Sequence, residues 1–303
     1  MEETVRETIK SIVRQHLTER NGQAFGQCLT AVGWVGGTLP ELYEKDGMIE
    51  LPMADVAGGG IVVGAGLMGR RPMYIIRYQG FNWYNSPIIA NYACKSKEIW
   101  KRPCPIFIRS IAMEGSIGPV AGSSHHSLYY RMPGIKIASP MTPGEYREVY
   151  ESFMDNDDVL YVSEHRGSYD NTKELSDVLY DKSDIVLFPI SITRFEAVKA
   201  QEILKQHGVK ASIIHQLWLK PFIFQDSWKT ILKNSEYGGI VIDNAYETGV
   251  AKNIAHDIML ETNKKIHTLG LEDKTAGFDK SVDNLPPSAC LLYTSPSPRD
   301  RTR

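Results

Sequence analysis

Apolar residues recur at helical spacing at the start of the chain: Val5, Ile9, Ile12, Val13 and Leu17 share one side of a 3.6-residue repeat. The segment is therefore predicted to be an amphipathic helix that packs its stripe on the first domain. Further on the pattern shortens to runs rich in β-branched and aromatic residues, MYIIRY, CPIFIRS, IKIASP and VLYVSE, with helical stretches between several of them. That alternation predicts an α/β fold built on a doubly wound parallel sheet. A polar stretch, RGSYDNTKELSDVLYDKS, then interrupts the pattern and reads as a connection between domains. After it the alternation resumes: DIVLFPISI, a helix TRFEAVKAQEILKQHG, KASIIHQLWLKPF, a helix around SWKTILKN, GGIVIDNA, a helix GVAKNIAHDIML, and KIHTLGL. Thr193 with Glu196 predicts a capping box, and Gly208 stands where that helix would stop. The expected organisation is two doubly wound parallel-sheet domains, at 1–170 and 183–289, with a linker at 171–182 and a disordered tail at 290–303.

Composition narrows the class. With 303 residues, 42% of them hydrophobic, the chain can bury the cores of two domains. No apolar run reaches the roughly 18 residues of a membrane span. The first twenty residues are charged throughout, where a signal peptide would need an apolar core, so the expected location is cytoplasmic. Cys28, Cys94, Cys104 and Cys290 have no metal-ligand or CxxC spacing and are expected to be reduced thiols. Lys and Arg number 34 against 36 Asp and Glu, without long single-sign runs, so no footprint for nucleic acid or an anionic membrane is present.

The segment ELPMADVAGGGIVVGAG, Glu50 to Gly66, carries the strongest chemical signal. Asp55 stands just before a helix rich in small residues, and each glycine costs that helix up to about 1 kcal/mol relative to alanine. Close approach of another backbone or of a cofactor would offset the loss. The simpler reading is a tight helix crossing, with Asp55 as a helix cap.

Taken in order, PMADVAGGGIVVGAG, RYQGFNWYNS, GPVAGSSHHS and PGIKIASP resemble the successive motifs of the transketolase-like thiamine diphosphate enzymes. The resemblance is greatest to the beta subunit of the two-chain 2-oxo acid dehydrogenases of pyruvate, branched-chain or acetoin type. It extends over about residues 22–289 and implies a transketolase-like pyrimidine-binding domain followed by a transketolase C-terminal domain. The second of these would serve chiefly in subunit contacts, so His215, Asp243, Asn244 and Glu247 are read as structural or interfacial.

In that family the cofactor's aminopyrimidine acts as the base once a protein carboxylic acid bonds its ring nitrogen. The resemblance puts Asp55 in that place. The family usually has glutamate there, and the shorter side chain would require a shift on the order of an ångström. A working Asp55 is expected to be buried among apolar neighbours that raise its pKa. Phe81 falls on the aromatic residue that lies against the pyrimidine, with Tyr78, Trp83 and Tyr84 around it. His126 falls on the histidine directed at the substrate carboxylate or the reaction intermediate, and its neighbour His125 replaces a polar residue. Gln27 occupies a place where the family often has an acid near the cofactor.

The Mg²⁺-binding GDG motif of the family is missing, and Lys45, Asp46 and Gly47 give only KDG without the matching context. The resemblance therefore implies half an active site: no metal ligands here, Mg²⁺ and the diphosphate held by an alpha-type partner subunit, and an α2β2 assembly. A lipoyl-carrying acyltransferase would receive the acyl group. Two other readings compete with the dehydrogenase subunit, namely the C-terminal half of a split transketolase and a non-catalytic beta-like subunit. Arg131 and Arg166 are the basic candidates for the phosphosugar recognition a transketolase needs. The terminal CLLYTSPSPRDRTR departs from the family, lacks apolar periodicity and reads as non-native.

Overall fold

The computed structural model describes residues 2–115, 118 and 122–294 and divides them into two compact units. The first comprises Met1–Leu175, Leu217–Pro221 and Ala276–Asp283. It opens with α1 (Val5–Thr18), started by a capping box in which Thr4 Oγ1 accepts from the Glu7 amide at 3.2 Å and Glu7 Oε2 accepts from the Thr4 amide at 2.8 Å. The predicted stripe of Val5, Ile9, Ile12, Val13 and Leu17 is buried in the core of this unit.

β1 (Gln23–Gln27) leads into α2 (Ala31–Gly37), a left-handed turn in which five successive residues, Val32 to Gly36, have φ between 51° and 64°. Such a conformation costs roughly 1–2 kcal/mol for each residue with a Cβ, so the surroundings must impose it. The Glu50 carboxylate accepts from the Leu29 amide at 2.9 and 3.0 Å, Thr38 Oγ1 donates to the Val35 carbonyl at 2.9 Å, and Arg6 donates to the Gly36 carbonyl.

The chain continues through β2 (Met48–Leu51), α3 (Asp55–Leu67) and β3 (Pro72–Ile76), then α4 (Asn82–Ile88), a π-helical turn and α5 (Cys94–Ile99). β4 (Phe107–Ala112), α6 (His126–Tyr130), β5 (Ile135–Ala138), α7 (Pro143–Asp155) and β6 (Val159–His165) complete the first run. With β9 (Trp218–Lys220), the resulting seven-stranded sheet has the order β2-β1-β3-β4-β6-β5-β9, parallel except at its last strand. From β1 the chain moves out to β2 and then back past β1 to β3, so β1 is where the winding reverses. In such sheets ligands collect at the carboxyl ends of the strands beside that point.

The second unit comprises Ser176–Gln216, Phe222–Thr275 and Asn284–Arg303. Its parallel sheet has the order β11-β10-β7-β8 and is formed by β7 (Ile185–Pro189), β8 (Ala211–Ile213), β10 (Gly239–Tyr246) and β11 (Ile266–Leu271). Its helices are α8 (Thr193–Gln206), α9 (Asp226–Lys233), α10 (Val250–Thr262) and α11 (Ala289–Thr294).

Three expectations change. KASIIHQLWLKPF is two strands rather than one: β8 stays in the second unit, while β9 (Trp218–Lys220) runs antiparallel to β5 in the first. Thr193 does not cap α8, because it lies inside the helix after Ile192 and donates toward the Ile190 and Ile242 carbonyls at 2.7 and 3.0 Å. Glu196 Oε2 instead accepts from the Ala289 amide at 2.8 Å. The start of the expected tail is ordered, since α11 buries Ala289 and Leu292 in the core of the second unit, an apolar pair too short to register as periodic. Residues 295–303 of that tail lie outside the described residues. Gly208, with φ at 79°, ends α8 as expected. All four cysteines are free thiols.

Candidate active site

The reversal at β1 is where the chemistry gathers. A cavity of about 120 Å³ lies within the first unit at the carboxyl ends of β1 and β3 and the start of α3. Its walls include Gln27, Asp55, Tyr74, Arg77, Tyr78 and Phe81. Four of the five residues expected at the site thus come together although they are spread over more than fifty positions of sequence.

Asp55 is the first residue of α3, after Ala54, which holds the cap position and makes no side-chain cap hydrogen bond. It is half-buried, not enclosed as expected, because Met53 and Val56 on either side face outward. An anion in the first turn of a helix is favoured by the unpaired amides and the helix dipole. Below it lies Tyr74 of β3, buried, whose phenol is held in the protonated form first by burial and then by the charge of Asp55. Gln27, the last residue of β1, presents a side-chain amide nitrogen that is buried and has no hydrogen-bond partner. A buried donor left unpaired costs about 1–3 kcal/mol, so this amide is suited to a ligand acceptor.

Tyr78 and Phe81 sit on the short helical turn Gln79–Phe81, with ring centroids 6.2 Å apart and planes inclined at 42°. Two buried amides pin that turn. Gln79 Nε2 donates to the Ser110 carbonyl at 3.1 Å and to Ser163 Oγ at 3.0 Å, and Asn82 Nδ2 donates to Ser110 Oγ at 3.0 Å and to the Tyr161 hydroxyl at 2.9 Å. The aromatic pair is therefore fixed to the middle of the sheet, at the ends of β4 and β6. Trp83 and Tyr84 point outward, 59% and 55% exposed.

His126 is not a wall of the cavity. It is fully buried at the start of α6, and its Nδ1 lies 3.0 Å from Ser163 Oγ, the same hydroxyl that receives Gln79. His125 is the half-buried member of the pair. Its amide donates to Gln79 Oε1 at 2.6 Å, its Nε2 lies 2.9 Å from Ser123 Oγ, and its ring meets Trp83 edge to face at 6.0 Å. Burial, with His126 beside it, lowers the His125 imidazole to about 4, so it is neutral at neutral pH. Residues 119–121 of the expected loop GPVAGSSHHS lie outside the described residues.

The glycines of α3 divide into two sets. A Cβ on Gly59 would lie 3.1 Å from Asn85 Cβ, and one on Gly66 would lie 2.7 Å from Cys104 Sγ, so these glycines permit α4 and the approach to β4 to pack closely. Gly60 and Gly64 face open space beside Val56 and Ile61, which are 56% and 47% exposed. The simple helix-crossing reading therefore accounts for only part of the run.

Sequence reasoning missed Tyr74, Arg77 and Gln79. Each sits in an apolar or aromatic run in which a single polar atom gives no periodic signal. In the second unit, Asp243 and Asn244 are buried at the end of β10, and Arg194 Nε donates to His215 Nδ1 at 3.3 Å. Burial and the neighbouring Arg194 lower His215 to about 3. Among the described residues no group of three acidic, histidine or cysteine side chains could hold a metal ion, and no helix is long and apolar enough to cross a membrane.

Comparison with known proteins agrees with this geometry. Residues 14–172 match the family described as "Transketolase, pyrimidine binding domain", and residues 176–283 match "Transketolase, C-terminal domain". Among curated proteins, the chain is 28% identical over 250 residues to the beta subunit of acetoin:2,6-dichlorophenolindophenol oxidoreductase from Cupriavidus necator, covering 75% of this chain and 71% of that one. It is 27% identical over 283 residues to the beta subunit of the pyruvate dehydrogenase E1 component from Bacillus subtilis, covering 84% of each. Among solved structures, one titled "Split gene transketolase, inactive beta4 tetramer" superposes with a TM-score of 0.70 at 14% identity over 92% of this chain and 91% of that one. The transketolase of Campylobacter jejuni superposes equally well, with a TM-score of 0.70 at 15% identity, over 92% of this chain but 44% of its own longer one. The structural likenesses show the fold, and the family matches span both units: the chain belongs to the transketolase pyrimidine-binding-domain family, with a transketolase C-terminal domain following it, and its curated homologues are beta subunits of 2-oxo acid and acetoin dehydrogenases.

Proposed function

We propose that the chain is the beta-type subunit of a thiamine diphosphate-dependent 2-oxo acid dehydrogenase and supplies the pyrimidine-binding half of its active site. The observation that carries this reading is the meeting of Asp55, the unpaired Gln27 amide, Tyr78 and Phe81 around one cavity at the reversal of the sheet. The set fits an aminopyrimidine: a carboxyl group for the ring nitrogen, an amide for a second polar edge atom, and two aromatic rings for its faces. Bound there, thiamine diphosphate supplies a thiazolium carbon able to attack the 2-oxo group.

The residues of this chain bind, orient and shield. Asp55 holds or yields a proton at its carboxyl oxygen, and the protonated Tyr74 beneath it leaves Asp55 as the group able to move that proton. Phe81 and Tyr78 exclude water from the ring faces. Gln79 fixes their turn and ties it to the His125 amide, so that the neutral His125 rather than the enclosed His126 is the imidazole able to meet a substrate.

The diphosphate and Mg²⁺ fall to an alpha-type partner subunit in this reading, since the sequence has no GDG motif. The open face of α3, with Gly60, Gly64, Val56 and Ile61, is the surface we assign to subunit contact. The acyl group passes to a lipoyl-carrying acyltransferase, and the complex is cytoplasmic.

The test is decarboxylation of a panel of 2-oxo acids, read with an artificial electron acceptor, by the chain co-purified with its alpha-type partner. Turnover that falls about 100-fold or more in Asp55→Ala supports the reading, in line with the 10²–10⁴-fold contribution typical of a positioned proton carrier. A well-formed, cofactor-loaded complex that turns over no 2-oxo acid would refute it. Ketol transfer between sugar phosphates by the same complex would replace it with a split transketolase.

A further inference from the structure

A second cavity of about 90 Å³ adjoins the first, sharing Arg77 and Tyr78 as walls. Its remaining walls are chiefly the left-handed turn α2, through Val32, Val35 and Gly36, and the end of β6, through Arg166 and Tyr169. Two guanidinium groups thus line one small space.

Four other arginines of this unit, Arg6, Arg71, Arg109 and Arg147, are matched by acids, while the exposed Arg14, Arg20, Arg70, Arg102 and Arg131 have no acidic partner among the described residues. Arg6 pairs with Asp170 at 2.9 Å, Arg71 with Asp157 at 2.7 Å, and Arg109 with Glu164 at 2.8 Å. Arg77 and Arg166 have no such partner among the described residues. Arg77 Nη1 donates to the Cys28 carbonyl at 3.4 Å, and Arg166 Nη1 reaches only the Met113 thioether, at 3.7 Å. Glu114, the residue after the wall residue Met113, faces His165, with both carboxylate oxygens 2.6 Å from Nε2. His165 Nδ1 accepts from the Gly167 amide at 3.0 Å, so Nε2 carries the proton and donates it to Glu114. The third wall is the strained one. A run of left-handed residues survives only where its surroundings dictate it, and such strain collects at ligand sites.

We propose that Arg77 and Arg166 form an anion site for a second, non-reacting anionic group of the substrate, so that the natural substrate is a dianionic 2-oxo acid. This rests on the 2-oxo acid reading above and names its substrate class. The arginines are better suited to a group that stays than to the carboxylate that leaves. A cation pair on the departing carboxylate would stabilise the ground state more than a transition state in which that charge has moved away, and would slow the reaction. A retained carboxylate or phosphate gains two charge-assisted, geometrically matched partners at no such cost.

The experiment has two parts. Calorimetric titration of the full chain with glutarate, methyl phosphate and neutral butyramide reads the site without turnover. Glutarate and methyl phosphate are expected to bind at least 10-fold more tightly than butyramide, and Arg77→Gln and Arg166→Gln are each expected to lower that affinity about 10-fold or more with the melting temperature kept. Arg166→Lys should retain part of it, and whichever of the two dianions binds more tightly assigns the retained group as carboxylate or phosphate.

In the complex with the alpha-type partner, Arg166→Gln is expected to lower kcat/KM for a dianionic 2-oxo acid such as 2-oxoglutarate at least 10-fold more than for pyruvate or 2-oxoisovalerate, mainly through KM. Equal binding of butyramide and glutarate, or equal losses for monoanions and dianions, would overturn the proposal. Arginine-dependent glutarate binding in a complex that turns over no 2-oxo acid would leave the anion site standing and remove the dehydrogenase reading instead.

Discussion

Glu164 closes the most deeply buried ion pair of the first unit, and its neutralisation in Glu164→Gln has a cost that follows from the geometry. Arg109 of β4 is 1% exposed and Glu164 of β6 is fully buried. Arg109 Nε and Nη2 donate to the two carboxylate oxygens at 2.9 and 2.8 Å, the Tyr169 hydroxyl donates to Oε1 at 2.5 Å, and Arg109 Nη2 also reaches Thr38 Oγ1 at 3.1 Å. Burial alone would lower the affinity of the guanidinium for its proton, but the Glu164 carboxylate outweighs it and raises the pKa. A glutamine of the same shape keeps one acceptor and turns its NH2 toward a donor. The arginine is then a buried charge with no counterion. Removing one partner of such a pair costs about 3–5 kcal/mol, a large part of the roughly 5–15 kcal/mol that holds a typical protein folded. At about 2–4 °C per kcal/mol the melting temperature should drop by roughly 10 °C. Urea unfolding and calorimetry at pH 7 measure both. The double variant Arg109→Met with Glu164→Leu should recover stability relative to Glu164→Gln, because it removes both charges at once. A Glu164→Gln protein within about 1 kcal/mol of the parent would refute the claim that this charge compensates a desolvated cation.

Asp55→Glu, which restores the longer acid, is expected to keep turnover within about 10-fold of the parent in either direction, where Asp55→Ala loses 100-fold or more; steady-state kcat in the complex with the partner decides. Phe81→Ala should weaken cofactor binding by about 0.5–1.5 kcal/mol beyond the lost contact area, measured by thiamine diphosphate titration of the complex. Ile61→Glu on the open face of α3 should leave the melting of the isolated chain unchanged while abolishing co-purification with the partner. For pH, His16 is buried between the Tyr150 hydroxyl at 3.1 Å and the Arg71 carbonyl at 2.8 Å, and burial lowers its pKa to about 4. The unfolded chain takes up that proton near pH 6.5 and the folded chain only near 4, so stability is full above the first value and falls by up to about 3 kcal/mol as pH drops to the second; His16→Gln should flatten that slope in urea titrations.

Legibility in the sequence followed the range of the physics. The amphipathic helix α1 and the strands β3, β4, β5 and β6 were readable because each repeats its pattern over several residues, and packing against one neighbour is enough to enforce it. β9 was not, because the short stretch Ile214 to Leu217 between it and β8 holds no Gly, Pro, Asn or Asp to signal a turn, and it is the antiparallel pairing with β5 that sets it apart. The Thr193–Glu196 pair shows the converse. Its spacing satisfies the rule for a cap, yet the Thr193 hydroxyl donates to the Ile190 carbonyl three residues back and to the Ile242 carbonyl on β10 instead of capping the helix amides.

The site divides along the same line. Asp55, Gln27, Tyr78 and Phe81 could be named in advance because an ordered set of motifs carries them, and the structure gathers them because β1 is the strand at which the winding reverses. His126 belongs to the same set of motifs but is the enclosed member of its pair, and the difference lies in one hydroxyl. Ser163 draws both the His126 ring and the Gln79 amide inward, which leaves His125 at the accessible position. No motif registers that exchange, because it depends on a residue 37 positions away on β6. Arg77 lies further still from any pattern, and Arg166 was legible only as a basic candidate for phosphosugar recognition. Each is an isolated cation at a strand end, ordinary in its own segment. They stand out because the fold sets them on one cavity, while Asp170, Glu164 and Glu114 pair with Arg6, Arg109 and His165. Two arginines without an acidic partner on a cavity that adjoins the one lined by Asp55 and Phe81 are the observation on which the proposed anion site rests.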